Sequence, residues 1–271
     1  MRRTITGFSF PTVKFLRSLR DKKHRRREGK FLAEGLRLLT DARECGRLPE
    51  MLVMAERRDA HPLLDALESD VLAAGGEVIE TSEDILAKVS GKDNPQAVAG
   101  VFAEFDTSLA GIDRTSAPIW LVAHSMRDPG NLGTMLRTGD AVGAGGLILI
   151  DDCADPFSVE AVRASMGAIF TQAVVQARWD DFIAWLRAGP GSDRGGQLVA
   201  ASLRDAQDYR TAPFAAPCFL MVGNESRGLP QACEDACDMR VTMPMRGRAD
   251  SLNAAIAGAV LAYAALARIE S

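Results

Sequence analysis

Gly143-Ala144-Gly145-Gly146-Leu147-Ile148-Leu149-Ile150-Asp151 is the stretch whose reading decides the fold. Glycines beside an aliphatic run resemble part of a dinucleotide-binding fingerprint. That fingerprint needs a strand, then glycines, then a helix N-terminus aimed at phosphate. Here the order is reversed: a helix over 132–142 runs into the glycines, and a strand over 147–150 leaves them. The glycines are therefore a helix stop and a tight turn. A dehydrogenase-type site is set aside on this order, and no G-x-x-x-x-G-K-[ST] phosphate loop occurs in the chain.

Outward from that stretch the same alternation continues. Strands are expected at 119–123, 172–175, 197–201, 218–222 and 239–243, with helices at 159–166, 180–188 and 252–268. Ile119-Trp120-Leu121-Val122-Ala123 is an apolar run of buried-strand type. The segment 190–196 reads as an exposed turn. Strands alternating with helices imply a mostly parallel sheet covered on both faces. Upstream, 12–28 reads as one helix closed by Gly29, followed by a strand at 30–33, a helix at 35–46, a strand at 51–54 and a helix at 61–74. Thr81 and Ser82 before Glu83 and Asp84 begin a further short helix. Turn chemistry at 91–95 precedes a strand at 97–103. The chain thus divides into a small α/β domain over 1–105, a polar linker over 106–117 and a larger α/β domain over 118–271.

The composition, 47% hydrophobic and 25% charged, is that of a globular chain of 271 residues. No apolar run reaches the length of a membrane span, and the N-terminus lacks a signal-peptide pattern, so a cytoplasmic location is expected. The five cysteines are scattered and the histidines are three, which gives no metal-ligand spacing; no metal is expected. The net charge of −4 conceals an asymmetry, because residues 1–30 hold eleven Lys and Arg against Asp21 and Glu28. Such a basic end, with Lys22, Lys23, Arg25, Arg26 and Arg27 at its densest part, suits a polyanion such as RNA. A merely solvated basic helix is the plainer alternative.

Three segments place polar and glycine residues beside buried strands, where open α/β sheets bind ligands. The first runs from His124 through Asp128-Pro129-Gly130-Asn131 to Arg137-Thr138. Asn131 falls at or near a helix N-cap, and Arg137 lies about two turns further on; capping and simple solvation would also account for both. The second is Gly223-Asn224-Glu225-Ser226-Arg227-Gly228 at the end of an apolar strand. Glu225 would repel a phosphate, so a neutral or cationic ligand fits better. The third is Met243-Pro244-Met245-Arg246-Gly247-Arg248-Ala249-Asp250-Ser251-Leu252-Asn253, with Ser251 expected to cap the helix that follows. That helix is too apolar for a free surface and implies burial or a subunit interface.

Together these segments resemble the three ordered motifs of the SpoU/TrmH family of RNA ribose methyltransferases, of the SPOUT class: D-P-x-N-x-G-x-x-x-R-T, G-x-E-x-x-G and P-M-x-G-x-x-x-S-L-N. The N-terminal part is similar, more loosely, to the L30e-like substrate-binding domain of such enzymes, through Phe31-Leu32-Ala33-Glu34-Gly35 and the Asn94-Pro95-Gln96 turn. The resemblance implies a deep trefoil knot in the C-terminal domain, a homodimer, and methyl transfer from S-adenosylmethionine to a ribose 2′-hydroxyl. Ribosomal RNA is the implied substrate, with transfer RNA, or a non-catalytic RNA-binding role, as alternatives. It further implies that Gly223, Met243 and Leu252, joined by Ala201, contact the cofactor. Arg137, Asn131, Glu225, Ser251 and Asn253 would form the catalytic pocket. A guanidinium, with a pKa above about 12, is a poor base, so Arg137 is read as orienting the hydroxyl, with Glu225 the alternative proton acceptor.

Overall fold

The computed structural model describes residues 1–56, 61–91, 95–188 and 195–271. The expected turn over 190–196 and that over 91–95, including Asn94, fall largely outside these. Contacts divide the chain into two units, one of Met1–Phe105 with Phe157–Phe170, the other of Asp106–Pro156 with Thr171–Ser271.

The first unit is built on five strands: β1 (Arg2–Ile5), β2 (Lys30–Glu34), β3 (Met51–Ala55), β4 (Glu77–Thr81) and β5 (Val98–Ala103). They lie in the order β1-β4-β3-β5-β2, with β1, β4 and β3 mutually parallel and β5 antiparallel to both β3 and β2. Helices α1 (Pro11–Ser18), α2 (Lys22–Glu28), α3 (Leu36–Glu44), α4 (Pro62–Ala73) and α5 (Glu83–Ser90) accompany them. The single helix expected over 12–28 is in fact two. Asp21 is extended, and its carboxylate accepts from the Lys23 and His24 amides, so it starts a new helix instead of continuing the old one. This break also corrects the expectation for Arg25. Its side chain is buried, 2% exposed, and donates to the Leu19 carbonyl at 2.8 Å, tying α2 to the end of α1. Lys22, Lys23, Arg26 and Arg27 remain exposed.

Five phenylalanines form one cluster in this unit. Phe31 stacks on Phe102 at 5.6 Å and meets Phe105, Phe157 and Phe170 at 5.6, 5.1 and 6.2 Å. Phe157 precedes α7 (Val159–Ala164) and Phe170 lies in α8 (Ala168–Thr171), so both come from the 157–170 segment that joins this unit.

The second unit carries seven strands, all parallel, in the order β10-β12-β9-β11-β6-β7-β8. These are β6 (Ile119–His124), β7 (Gly146–Ile150), β8 (Ala173–Ala177), β9 (Gln197–Ala201), β10 (Gln207–Asp208), β11 (Cys218–Val222) and β12 (Met239–Thr242). Helices α6 (Pro129–Ala141), α9 (Trp179–Arg187), α10 (Gln231–Ala236) and α11 (Ala254–Ile269) cover it. The glycines at 143–146 do join α6 to β7, helix first. Trp120, Val122, Ile148, Phe182, Leu198 and Phe219 make the core on one face, while α11 packs on α6, β11 and β6. Two helix starts differ from expectation. Asp128, not Asn131, caps α6, and Asn253, not Ser251, caps α11 by accepting from Ala255 and Ile256 amides at 2.9 and 3.2 Å. In each case the side-chain oxygen nearest the free amides wins the capping position.

Replacing Phe31 by Ala should lower the unfolding free energy by about 3–5 kcal/mol, the usual loss for a buried aromatic. Equilibrium urea unfolding reads this, and an unchanged midpoint would show that the five-ring cluster contributes nothing.

Candidate active site

Parallel strands end on one side, so the loops after β6, β9, β11 and β12 are all delivered to the same edge of the seven-stranded sheet. The loop after β11 is a tight hairpin: the Asn224 amide donates to the Gly228 carbonyl, and the Gly228 amide to that of Asn224, at 3.1 and 2.9 Å. A side chain at Gly223 would collide with the Gly228 backbone, so that position must lack a Cβ. Asn224 fastens the hairpin internally by accepting from the Ser226 and Arg227 amides. Its Nδ2 donates outward to the Ser125 carbonyl at 2.8 Å, at the end of β6.

Glu225 reaches in the same direction. Its carboxylate accepts from the Arg127 and Asp128 amides, both at 3.2 Å, and from Asn131 Nδ2 at 3.1 Å. Asn131 Oδ1 in turn accepts from Asn253 Nδ2 at 2.8 Å, and Asn253 Oδ1 caps α11. The polarity of this chain is forced from both ends. A carboxylate only accepts and helix amides only donate, so each intervening amide has one possible orientation. Partial burial raises the Glu225 pKa, but the hydrogen bonds from its own backbone, Asn131, Arg127 and Asp128 together outweigh it and leave the carboxyl below its ordinary value.

Beside this chain lies a cavity of about 430 Å³. Ala201, Gly223, Met243 and Leu252, the four positions expected to meet a cofactor, all line it, as do Glu225, Ser251 and Asn253. Asn131 is brought to it through its two hydrogen bonds. Arg137 is not: it stands exposed on α6, makes no ion pair or side-chain hydrogen bond among the described residues, and lines no part of the wall. The sequence reading missed Asn224 and the Ser202-Leu203-Arg204 stretch after β9, which also borders the cavity. An Asn one residue into a glycine-bounded loop is an Asx-turn signal that could have found the first; nothing local marks the second.

His124 ends β6, is 7% exposed, and pairs through Nε2 with Asp151 Oδ2 at 3.1 Å, away from the cavity lining. Among the described residues no group of three or more His, Cys, Asp or Glu is placed to hold a metal ion, and no helix is long and apolar enough to cross a membrane.

Because Glu225 titrates lower in the folded chain than in the unfolded one, the stability it adds is complete above the unfolded value. It is lost as pH falls through the folded one. Denaturation between about pH 5 and about pH 3 should therefore weaken the wild type more steeply than Glu225→Gln; parallel curves would refute this assignment.

Two family models match the chain: the SpoU rRNA Methylase family over residues 118–263 and the MRM3-like substrate binding domain over residues 11–100. The 23S rRNA (guanosine(2553)-2'-O)-methyltransferase RlmP of Bacillus subtilis is 32% identical, across 93% of this chain and 94% of that protein. A crystal structure of an AdoMet-bound rRNA methyltransferase from Sinorhizobium meliloti superposes with a TM-score of 0.90 at 37% identity, covering 100% and 99% of the two chains. The AdoMet complex of AviRb, a SpoU methyltransferase from Streptomyces viridochromogenes, gives 0.85 at 27% identity, covering 96% and 98%.

Proposed function

As the chain belongs to the SpoU rRNA methylase family, we propose that it transfers a methyl group from S-adenosylmethionine to a ribose 2′-hydroxyl of ribosomal RNA. The observation that carries this is the cavity lined by the second and third motif segments, to which the first is tied by the Asn253–Asn131–Glu225 chain. Relatives named for ribosomal RNA favour that substrate over transfer RNA.

The wall suits the cofactor. Its volume is in the range of small-molecule sites. Leu203, Val241, Met245 and Leu252 offer apolar surface for an adenine ring, and Glu225 and Asp250 accept a sulfonium where a phosphate would be repelled. When bound, S-adenosylmethionine supplies an electrophilic methyl group on sulfur, open to in-line attack by the ribose oxygen. The chain's own contribution is then mainly positioning. Glu225 locks the β6 and β11 loops to each other, and Asn131 carries that lock to the start of α11. A carboxylate engaged by the Arg127 and Asp128 amides and by the Asn131 and Asn224 side chains, and held below its ordinary pKa, is a weak base, so we assign Glu225 to this task and not to proton removal. No histidine lines the cavity. Arg137 would orient the 2′-hydroxyl and its neighbouring phosphate and stabilise the charge developing on oxygen.

Arg137 lines no part of the cavity of its own chain, and α11 leaves Ile256 and Tyr263 half exposed, at 52% and 55%. Both features support a homodimer in which a second copy covers α11 and completes the site with its arginine. The chain path supports the knot expected of this family: β12 lies beyond β9 from β11, and α11 then returns to pack on β11 and β6. Lys22, Lys23, Arg26 and Arg27 would contact RNA phosphates, in a cytoplasmic enzyme.

Arg137→Ala should lose at least about 100-fold in transfer of tritiated methyl to ribosomal RNA, while binding S-adenosylmethionine within about twofold by calorimetry. Sedimentation should report a dimer. Full activity would remove the arginine's role, and a monomer would remove the dimer. Neutralising Lys22, Lys23, Arg26 and Arg27 together should flatten the salt dependence of RNA binding by about three log units per log unit; an unchanged slope would leave α2 a solvated face.

A further inference from the structure

Several cations of the first unit are already engaged. Arg2 pairs with Glu68 and Glu80, Arg3 with Glu77, Lys30 with Glu50 and Arg43 with Asp70. A different set is not. Lys14, Arg17 and Arg20 recur every third residue along α1 and its end, so they project from one side of that helix while Val13, Leu16 and Leu19 bury the other. Their side chains make no ion pair or hydrogen bond among the described residues, and the same holds for Lys88 on α5 and Arg163 on α7. All five are exposed.

These five cations are not scattered. Lys14, Arg17, Arg20 and Arg163 line one open cavity of about 640 Å³. Arg17 and Arg20 also line a second, adjoining one, with Lys88 and the side chain of Phe8. Gly91, which ends α5 with φ +70°, leaves the space that the Arg20 guanidinium occupies at the junction of the two. The carboxylates on these walls, Asp21, Glu160 and Asp84, are fewer than the cations, and Asp21 is committed to capping α2. Phe8 is 53% exposed, although a phenylalanine ordinarily gains from burial.

Unpaired cations on a concave surface, with an exposed ring at one end, match the chemistry of a bent or single-stranded RNA segment. Guanidinium and ammonium groups neutralise successive phosphates, and a flat ring takes an unpaired base by stacking. The geometry points to this double groove as an RNA-binding site separate from α2: Lys14, Arg17, Arg20, Lys88 and Arg163 hold the phosphate backbone, and Phe8 stacks a splayed base. The inference rests on the proposed action on RNA and adds where, and by what chemistry, the first unit grips it. An acidic protein segment would satisfy the charges but would leave the exposed ring without a stacking partner.

The test uses the full chain and ribosomal RNA freed of protein, with binding followed from about 50 to about 300 mM KCl. Arg17→Gln, Arg20→Gln and Arg163→Gln combined should weaken binding at least tenfold at about 100 mM salt and make the log–log slope shallower by about two. The matching triple change to lysine keeps the charge and should keep the slope, which separates charge loss from misfolding. Lys30→Gln, which removes a paired cation, should change neither. Phe8→Ala should weaken binding about tenfold at every salt concentration without altering the slope. A glutamine triple variant that binds with the wild-type slope overturns the groove, and so does a lysine triple as weak as the glutamine one. Methyl transfer to the same RNA is measured alongside. If the wild type labels the RNA but the slope does not move, the groove fails and the catalytic reading stands. If the slope moves but no label is transferred, the catalytic reading fails and the groove stands.

Discussion

The Glu225 carboxylate is the acceptor on which the second unit's working edge depends. It sits in the loop after β11, yet the groups it holds belong to the loop after β6 and the first turn of α6. Without it, two backbone amides and one side-chain amide would each need another partner, and water is the only ready substitute. Through Asn131 the same carboxylate decides which way Asn253 faces, and Asn253 in turn sets where α11 begins. A single negative charge thus orders three loops that are far apart in sequence. The same bonds favour its charged form and hold its pKa below the ordinary value.

The sheet makes this convergence possible. Seven parallel strands send every strand-end loop of interest to one edge, so residues near 202, 224 and 243 share one cavity and Ser125 meets Asn224, without long connections. The buried side chains of β6, β7 and β11 hold that edge rigid. The loops can then be rich in glycine and polar residues without losing their relative placement.

What was legible in the sequence was the part governed by local chemistry. The apolar runs of β6, β7 and β11 announced buried strands, and the glycines at 143–146 showed by their order that they close a helix. The resemblance pointed to Gly223, Met243 and Leu252, with Ala201 at the end of β9, and all four line one cavity wall. What was not legible depended on partners elsewhere in the chain. β1 is a four-residue strand that exists because β4 pairs with it, and β10 is two residues long. Asn253 takes the cap from Ser251 because its Nδ2 is simultaneously anchored by Asn131. Arg25 resembles its basic neighbours in sequence, yet only a carbonyl at Leu19 distinguishes it as a buried strut. Counting cations cannot reveal which are already paired.

The five-ring cluster has a consequence for how the protein comes into being. A chain emerging from the ribosome presents Phe31, Phe102 and Phe105 well before Phe157 and Phe170 exist. At about 5–20 residues per second the delay is on the order of several seconds. During that interval the nascent first unit carries bare aromatic surface, and β6, α6 and β7 are made while it waits. The N-terminal unit is therefore completed by a piece borrowed from the middle of its successor. Gene fusions, truncations and domain exchanges cut at Phe105 would sever it from two of its own core rings.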